Sequence, residues 1–160
     1  MIARLRIPDE RMPVLIGRDG TTKQLIEEST STSIAVSDEI AIEGEVDNVL
    51  TAENIIRAIG RGFVPEDALE LLDENVTLFV IQLPKEKNTL VRLKSRIIGT
   101  RGKARRNIER LTKTTIAVYG KTVAAIGTYD NVETARRAIE MLIKGRTHKT
   151  VYKFLEDRHA

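Results

Sequence analysis

The internal repeat of this 160-residue sequence constrains its fold more than any other feature. Segment 16–20 reads Ile-Gly-Arg-Asp-Gly and aligns with segment 98–102, Ile-Gly-Thr-Arg-Gly, at an offset of 82 residues. The offset holds through Val118 and is 83 by Gly127, which indicates one inserted residue in a loop. Because matched segments flank the insertion, the chain is expected to hold two copies of one domain.

Both copies predict the same order of elements, β-α-α-β-β-α. In each copy a β-type run ends at a proline, a short helix leads to a glycine pair, and a helix, two strands and a longer helix follow. The predicted elements of the first copy span 4–7, 12–16, 20–30, 32–37, 39–44 and 47–60. Those of the second copy span 77–83, 90–98, 102–112, 114–119, 121–127 and 130–144. The expected fold class is therefore α+β, with two three-stranded sheets packed on helices.

Two further helices are predicted outside the copies. Pro65 opens a short linker helix, in which Leu69 and Leu72 are expected to form an apolar face. A C-terminal helix is expected to pack through Val151 and Leu155. The expected segments are a first domain 1–62, a linker helix 63–74, a second domain 75–145 and a C-terminal helix 146–160. Since the linker before the short helix is only about five residues long, we expect the two domains to form one rigid body.

The two halves of the chain carry opposite net charge. Residues 1–72 contain 7 Lys or Arg against 14 Asp or Glu, whereas residues 73–160 contain 19 against 9. A basic half indicates a polyanionic partner for the second copy and a different partner for the first. The alternative is that the two halves simply attract each other.

Composition and motif spacing exclude most enzyme classes. The chain has no cysteine and only two histidines, His148 and His159, so disulfides, thiolate nucleophiles and His-based metal sites are not expected. Gly102 and Lys103 resemble the end of a phosphate-binding P-loop, but Ala104 stands where that motif needs Ser or Thr. No apolar run reaches the roughly 18 residues of a membrane helix, and the N-terminus lacks a signal peptide. We therefore expect a cytoplasmic, monomeric protein that is not an enzyme, with no cofactor, no metal and no membrane contact.

Each copy places two glycines, separated by two residues, between two helices. Glycines leave no side chain between the backbone and a ligand, so amides at the helix start can meet phosphates. One such G-x-x-G is a weak signal. Two of them at the same place in β-α-α-β-β-α resemble the K homology (KH) domain of type I. That resemblance implies a loop that clamps about four nucleotides of a single strand.

Within the type I KH proteins the sequence resembles one family in particular, and this resemblance covers essentially the whole chain. The sequence is similar to the archaeal two-KH-domain ribosomal RNA processing or assembly proteins at 95–99 (Ser-Arg-Ile-Ile-Gly), 118–123 (Val-Tyr-Gly-Lys-Thr-Val), 62–72 and 145–156. Those proteins are related to the eukaryotic small-subunit assembly factors called Partner of Nob and Krr-type proteins. The resemblance implies a ribosome biogenesis role, with single-stranded RNA near the 3′ end of 16S small-subunit ribosomal RNA as the ligand. It also implies a Nob-type endonuclease and the alpha subunit of archaeal initiation factor two as partners.

The helix after the second loop is basic along one side. Lys103, Arg106, Arg110 and Lys113 fall within an arc of about 80°, apart from the apolar stripe. A solvated charged face is the ordinary explanation, but this stripe adjoins a G-x-x-G in the basic half, which favours phosphate contact. The candidate RNA-binding residues of the second copy are Arg96, Ile98, Gly99, Thr100, Arg101, Gly102, Lys103, Arg106, Arg110 and Lys113.

The first copy lacks this basic side. The equivalent helix positions hold Thr21, Gln24, Glu28 and Ser31, and Asp19 inside the loop would repel phosphate. We expect either a secondary RNA contact or a module that faces a basic protein partner. The candidate RNA-binding residues of this copy are Gly17, Arg18, Gly20 and Lys23. The acidic residues expected to face a partner are Glu27, Glu28, Glu43 and Glu45.

The second copy is thus the expected main RNA site of a non-catalytic assembly factor. Two alternatives stay open: a protein–protein scaffold with vestigial RNA loops, and a tandem-KH transcription or translation factor. Tyr119, Tyr129 and Tyr152 are expected to be structural rather than to stack on bases, and His148 is expected at the surface or in a helix cap.

Overall fold

The computed structural model describes residues 1–158, so the last two residues of the expected C-terminal segment 146–160, His159 and Ala160, lie outside the described part. The chain divides into two compact units, which we call unit 1 (Met1–Glu74) and unit 2 (from Asn75 onward). Each unit holds a three-stranded antiparallel sheet with helices packed on it, which confirms the α+β class. No helix among the described residues has the length and apolarity needed to cross a bilayer.

Unit 1 follows the predicted order and adds a short helix at its end. Its elements are β1 (Ile2–Leu5), α1 (Met12–Ile16), α2 (Thr21–Thr30), β2 (Ser33–Val36), β3 (Ile40–Glu43), α3 (Val46–Gly60) and α4 (Pro65–Ala68). Strand β3 lies between β1 and β2 and is antiparallel to both. A 3-10 turn, Leu69–Leu72, follows α4, and both pack on α3.

Unit 2 repeats this arrangement and adds a longer helix. Its elements are β4 (Val76–Gln82), α5 (Lys87–Ile98), α6 (Lys103–Thr112), β5 (Thr115–Tyr119), β6 (Thr122–Thr128), α7 (Tyr129–Ile143) and α8 (His148–Arg158). Strand β6 lies between β4 and β5, so β5 is an edge strand. Helix α8 packs on α6 and α7.

The core of unit 2 lies between the sheet and its helices. Strand β6 is buried from Thr122 to Ile126 because it is the central strand. Ile108 from α6 and Ile139 from α7 join the same cluster, as do Val151 and Leu155 from α8, which are fully buried. The packing face predicted for the C-terminal helix is therefore confirmed, and α8 is part of the core of unit 2.

Each unit holds the same polar network at the end of the helix that follows its glycine loop. In unit 2, Thr112 Oγ1 donates to the carbonyl of Ile108 at 2.6 Å and lies 2.8 Å from Thr114 Oγ1. Glu109 Oε2 accepts from the backbone N–H of Ile116 at 2.8 Å. Unit 1 makes the same three contacts at 2.7, 2.7 and 2.8 Å, through Thr30, Ile26, Thr32, Glu27 and Ile34. These bonds satisfy polar groups that the packing removes from water, which explains why those positions match at the offset of 82.

The linker helix packs through a different face from the expected one. Ala68 and Leu71 are buried, whereas Leu72 is 42% exposed and Leu69 is only partly buried. Positions 68 and 71 are three residues apart, as are positions 69 and 72, so the spacing alone does not select the face. Packing on α3 selects it, and the buried side carries Ala68 and Leu71.

Two element boundaries also differ from the predictions. Strand β1 spans Ile2–Leu5 rather than 4–7, since those four residues are the ones in register with β3. Helix α5 begins at Lys87, three residues before the predicted start. It begins there because Glu86 Oε2 accepts from the backbone N–H of Thr89 at 2.6 Å and caps the first turn.

Candidate nucleic-acid interface

The second glycine loop joins α5 to α6 by a left-handed turn. Gly99 has φ 76° and ψ 175°, and Gly102 has φ 76° and ψ 13°. A Cβ at Gly99 would lie 2.7 Å from the backbone nitrogen of Ala104, so no other residue fits this position without a shift. The sequence therefore needs glycine here for the close approach of the loop to α6.

Helix α6 begins without a side-chain cap. Its N-cap is Gly102, which has no side chain to accept from the first-turn N–H groups. Those donors and the positive end of the helix are directed toward the loop, which is the arrangement that binds phosphate in many proteins. Arg106 Nη1 donates to the carbonyl of Arg101 at 2.5 Å and so ties the loop to the first turns of α6.

Five exposed cations lie in this loop and along α6. They are Arg101, Lys103, Arg106, Arg110 and Lys113. On the other side of the helix Ala104, Ile108 and Thr112 are buried, so the predicted separation of basic and apolar stripes is present. From Lys103 to Lys113 the helix rises about 15 Å, enough to follow several nucleotides of an extended strand.

None of these five cations forms an ion pair within residues 1–158. The ion pairs of unit 2 use other arginines: Arg105 with Glu109 at 3.0 Å, and Arg136 with Glu133 and Glu140 at 2.7 Å each. The positive charge of these five residues is therefore not neutralised by ion pairs within the described residues and is available to phosphate.

Arg96, a candidate phosphate ligand, makes backbone contacts instead. Its Nε donates to the carbonyl of Leu142 at 3.3 Å and its Nη2 donates to the carbonyl of Arg146. The guanidinium thus joins α5 to the C-terminal end of α7. The role of Arg96 in RNA binding stays a prediction, and these contacts show a structural use for it.

Unit 1 contains the same clamp, built from a different sequence position. Arg11 Nε donates to the carbonyl of Ile59 and Arg11 Nη2 to that of Phe63, both at 2.8 Å. The two pairs of carbonyls match at the offset of 83, but Arg11 and Arg96 do not match at either offset. Comparison of the two copies missed both clamps because it finds residues at matching positions. These two arginines occupy positions that do not match, yet they donate to equivalent carbonyls.

The first loop has the same backbone but a different charge. Gly17 and Gly20 have φ 74° and 76°, as the glycines of unit 2 do. Asp19 stands in the left-handed conformation that Arg101 takes in unit 2. Lys23 is paired with Glu27 at 3.1 Å, so its charge is partly neutralised, while Arg18 is exposed. The loop geometry is therefore present in unit 1 without the positive field.

A pocket beside the second loop was not expected from the sequence. It measures about 240 Å³ and lies between the loop and α8. Its lining is Gly99, Thr100, Lys103, Ala104, His148 and Tyr152. The repeat gave no signal for it, because α8 has no counterpart in the first copy. Elsewhere in the described residues, no group of three or more His, Cys, Asp or Glu side chains could share a metal ion.

Comparison with known proteins agrees with this geometry. The family model for the second PNO1 KH domain, described as "Eukaryotic type KH-domain (KH-domain type I)", matches residues 11–77 and again residues 75–160. A KH domain-containing protein of Methanocaldococcus jannaschii is 41% identical over 162 residues, which cover 95% of this chain and 71% of that protein.

A eukaryotic relative and a solved structure extend the comparison. The RNA-binding protein pno1 of Ixodes scapularis is 35% identical over 106 residues, which are 63% of this chain and 45% of that protein. The chain thus spans less than half the length of that relative. One chain of the crystal structure of an a/eIF2alpha–aDim2p–rRNA complex from Pyrococcus horikoshii OT3 is 40% identical, with a TM-score of 0.92 over 99% of this chain and 93% of that chain. The chain therefore belongs to the type I KH-domain family, in the archaeal two-domain group that is related to the Partner of Nob proteins.

Proposed function

We propose that this protein binds single-stranded RNA through unit 2 and acts, without catalysing a reaction, in small-subunit ribosome assembly and ribosomal RNA processing. The proposal is supported above all by five exposed cations that form no ion pair within residues 1–158 and that lie beside an uncapped helix start. Phosphates bound there would meet both the amides of the loop and the charges of α6.

The relatives support ribosomal RNA as the target. The solved complex that resembles this chain contains ribosomal RNA and a/eIF2alpha beside aDim2p. We propose the same partners here, with the RNA site near the 3′ end of 16S ribosomal RNA, the alpha subunit of initiation factor two and a Nob-type endonuclease as protein partners, and the cytoplasm as the compartment. The relatives' names support this assignment, and the basic side of α6 supplies the chemistry that it needs.

For unit 1 we propose a docking role rather than strong RNA binding. Of the acidic residues expected to face a partner, Glu27 is occupied, because it pairs with Lys23 and accepts from the N–H of Ile34. Glu28, Glu43 and Glu45 are exposed, so they are the acids that a basic protein surface could meet.

The deciding experiment places two aspartates in each loop in turn. The double variant T100D/R101D puts two negative charges between the glycines of unit 2. The single variant R18D gives the first loop the same pair, since Asp19 is already there. Fluorescence anisotropy with a labelled oligonucleotide from the 3′ end of 16S ribosomal RNA should show a severe loss for T100D/R101D and a small loss for R18D. Equal losses would contradict the assignment of the main site to unit 2.

The salt dependence of the same assay tests the phosphate contacts. If three to five of the cations neutralise phosphates, log affinity should fall with log salt at about −0.7 per contact, a slope of roughly −2 to −3.5. This corresponds to a loss of about 20- to 130-fold between 50 and 200 mM salt. A slope near zero would favour the scaffold alternative.

A further inference from the structure

The pocket lies between the second glycine loop, which has a counterpart in unit 1, and α8, which has none. Thr100 and Lys103 form its loop side, and His148 and Tyr152 form its helix side. Its volume of about 240 Å³ is of the size of one nucleoside and too small for a duplex. Helix α8 is held in place by the buried side chains of Val151 and Leu155, so this wall is part of the folded unit.

His148 is fixed in orientation by a hydrogen bond to the end of α5. Its Nε2 lies 2.7 Å from the carbonyl oxygen of Arg96. A carbonyl only accepts, so Nε2 carries a proton and donates to it. The ring centroid of His148 lies 6.2 Å from that of Tyr152, at an interplanar angle of 38°. The helix side of the pocket is therefore aromatic.

The loop side of the pocket has the opposite character. Lys103 is exposed and has no ion pair within residues 1–158, and Thr100 offers a hydroxyl. A cationic and hydroxyl wall facing an aromatic wall matches the two parts of a nucleotide, which are the phosphate and the base.

We propose that this pocket binds one further nucleotide of the same RNA strand, beyond the nucleotides that the glycine loop clamps. Its phosphate lies at Thr100 and Lys103, and its base lies against the ring of Tyr152. This inference rests on the proposed function, since it extends that RNA site onto α8. Unit 1 has no such extension, because its chain after α3 forms only the four-residue α4 and a 3-10 turn.

The proposed pocket is tested by varying the length of the RNA oligonucleotide and by substituting Tyr152. Oligonucleotides of about four nucleotides, the length that a KH loop clamps, are extended by up to three at the 5′ or the 3′ end. For the unchanged protein, extension at one end should raise the affinity about 5- to 10-fold, the range of one modest base–aromatic stack. Tyr152→Leu should remove this gain and leave the affinity for the shortest strand unchanged, whereas Tyr152→Phe should retain it.

A matched control separates this site from general effects of losing a tyrosine. Tyr129→Leu changes the same side chain at a position of unit 2 that is 70% exposed and outside the pocket lining, and it should bind all lengths like the unchanged protein. If the unchanged protein binds the short strand but gains nothing from extension, or if Tyr152→Leu keeps the gain, the nucleotide pocket is overturned while the proposed function stands. If no single strand binds at all, the proposed function itself fails.

A direct measurement covers the case in which Tyr152→Leu does not fold. The unchanged protein is crosslinked by light to a strand that carries 5-iodouridine at the extended end, and the crosslinked peptide is identified by mass spectrometry. A crosslink within segment 148–153 supports the proposal. Crosslinks confined to other segments overturn it.

Discussion

The two glycine loops have nearly the same backbone but a different charge, because the first holds Arg18 and Asp19 and the second holds Thr100 and Arg101. Asp19 has φ 55° and ψ 29°, and Arg101, its counterpart in unit 2, has φ 54° and ψ 28°. The helices that follow the loops end alike as well, in the left-handed residues Ser31 and Lys113. Backbone geometry in this repeat is thus independent of the side chains that decide what the loop can bind.

The buried interactions of the two units also match. Both hold the polar network of a glutamate and two threonines, and both clamp the last helix of the repeat with an arginine. Duplication has therefore kept the interactions that hold the fold and changed the exposed positions of α2 and α6.

The largest expected effect is on stability, and it should be equal in the two units. Gly17→Ala and Gly99→Ala each force a side chain into a backbone region that is almost restricted to glycine. The new Cβ would lie 2.8 Å from the nitrogen of Thr22 or 2.7 Å from that of Ala104. Each change should cost about 3 kcal/mol in its own unit. Hydrogen exchange measured by NMR, which reports on each unit separately, is the appropriate measurement.

The second glycine of the first loop provides the control for this prediction. Gly20 also has a positive φ, but a Cβ there would meet nothing within 4 Å. Gly20→Ala should therefore cost only about 1 kcal/mol. If Gly17→Ala proved harmless while Gly99→Ala unfolded its unit, the two loops would not be equivalent backbones.

The next effect concerns the two arginine clamps. Arg11→Gln and Arg96→Gln each remove charge-assisted bonds to two backbone carbonyls, and each should destabilise its unit by about 1 to 2 kcal/mol. Arg137→Gln, at an exposed position of α7, should change stability by less than about 0.5 kcal/mol. The salt slope of RNA binding should stay the same for Arg96→Gln. A flatter slope would return Arg96 to the phosphate ligands.

The order of elements was predicted well from the sequence because each element of a duplicated domain occurs twice and can be predicted from two different segments. Helix α6 was predicted over 102–112 and spans Lys103–Thr112, and the exposed side of that helix was predicted correctly from its 3.6-residue period. The bounds of β1 and the face of the linker helix were predicted incorrectly. Both depend on the element against which the segment packs, which is β3 for β1 and α3 for the linker helix, and the pattern within the segment does not specify it.

The features that the sequence did not reveal depend on contacts between distant residues. Arg96 was chosen as a candidate RNA-binding residue from its sequence position and charge. Its structural use was not visible in the sequence, because its carbonyl partners lie 46 and 50 residues away. Tyr152 was expected to be structural and His148 to lie at the surface or in a helix cap. That both line a pocket beside the second loop depends on how α8 packs. A helix without a counterpart in the first copy could not be placed by comparison of the copies.

Adding to α2 the arginines of α6 tests whether unit 1 binds RNA weakly only because it lacks cations beside its loop. Gln24→Arg with Glu28→Arg copies Arg106 and Arg110 onto α2. In the T100D/R101D protein, this pair should restore affinity about 10-fold and steepen the salt slope by about 1.4, or 0.7 for each new contact. Anisotropy at several salt concentrations measures both quantities.

Net charge must be held constant for that transfer to be informative. Asn54→Arg with Glu70→Arg adds the same three charges at exposed positions of unit 1 that lie outside its loop and α2. This control should restore little affinity. An equal gain from both pairs would show that the total charge of unit 1, and not its loop, limits RNA binding.

The smallest expected effect is a difference in acid sensitivity between the units. The backbone N–H of Thr89 donates to Glu86 and holds the pKa of that exposed carboxyl below its ordinary value of 4.5. The ionised form therefore stabilises the start of α5, and this contribution is present above pH 4.5 and is lost as the pH falls through the lowered pKa. Helix α1 of unit 1 has no side-chain cap, so only unit 2 should show the effect.

Glu86→Gln should lower the melting temperature slightly at pH 7, and the difference from the unchanged protein should vanish toward pH 3. Glu156→Gln, an exposed carboxylate change in α8, should show no such trend. A difference for Glu86→Gln that persisted at pH 3 would mean that the side chain acts through packing and not through its charge.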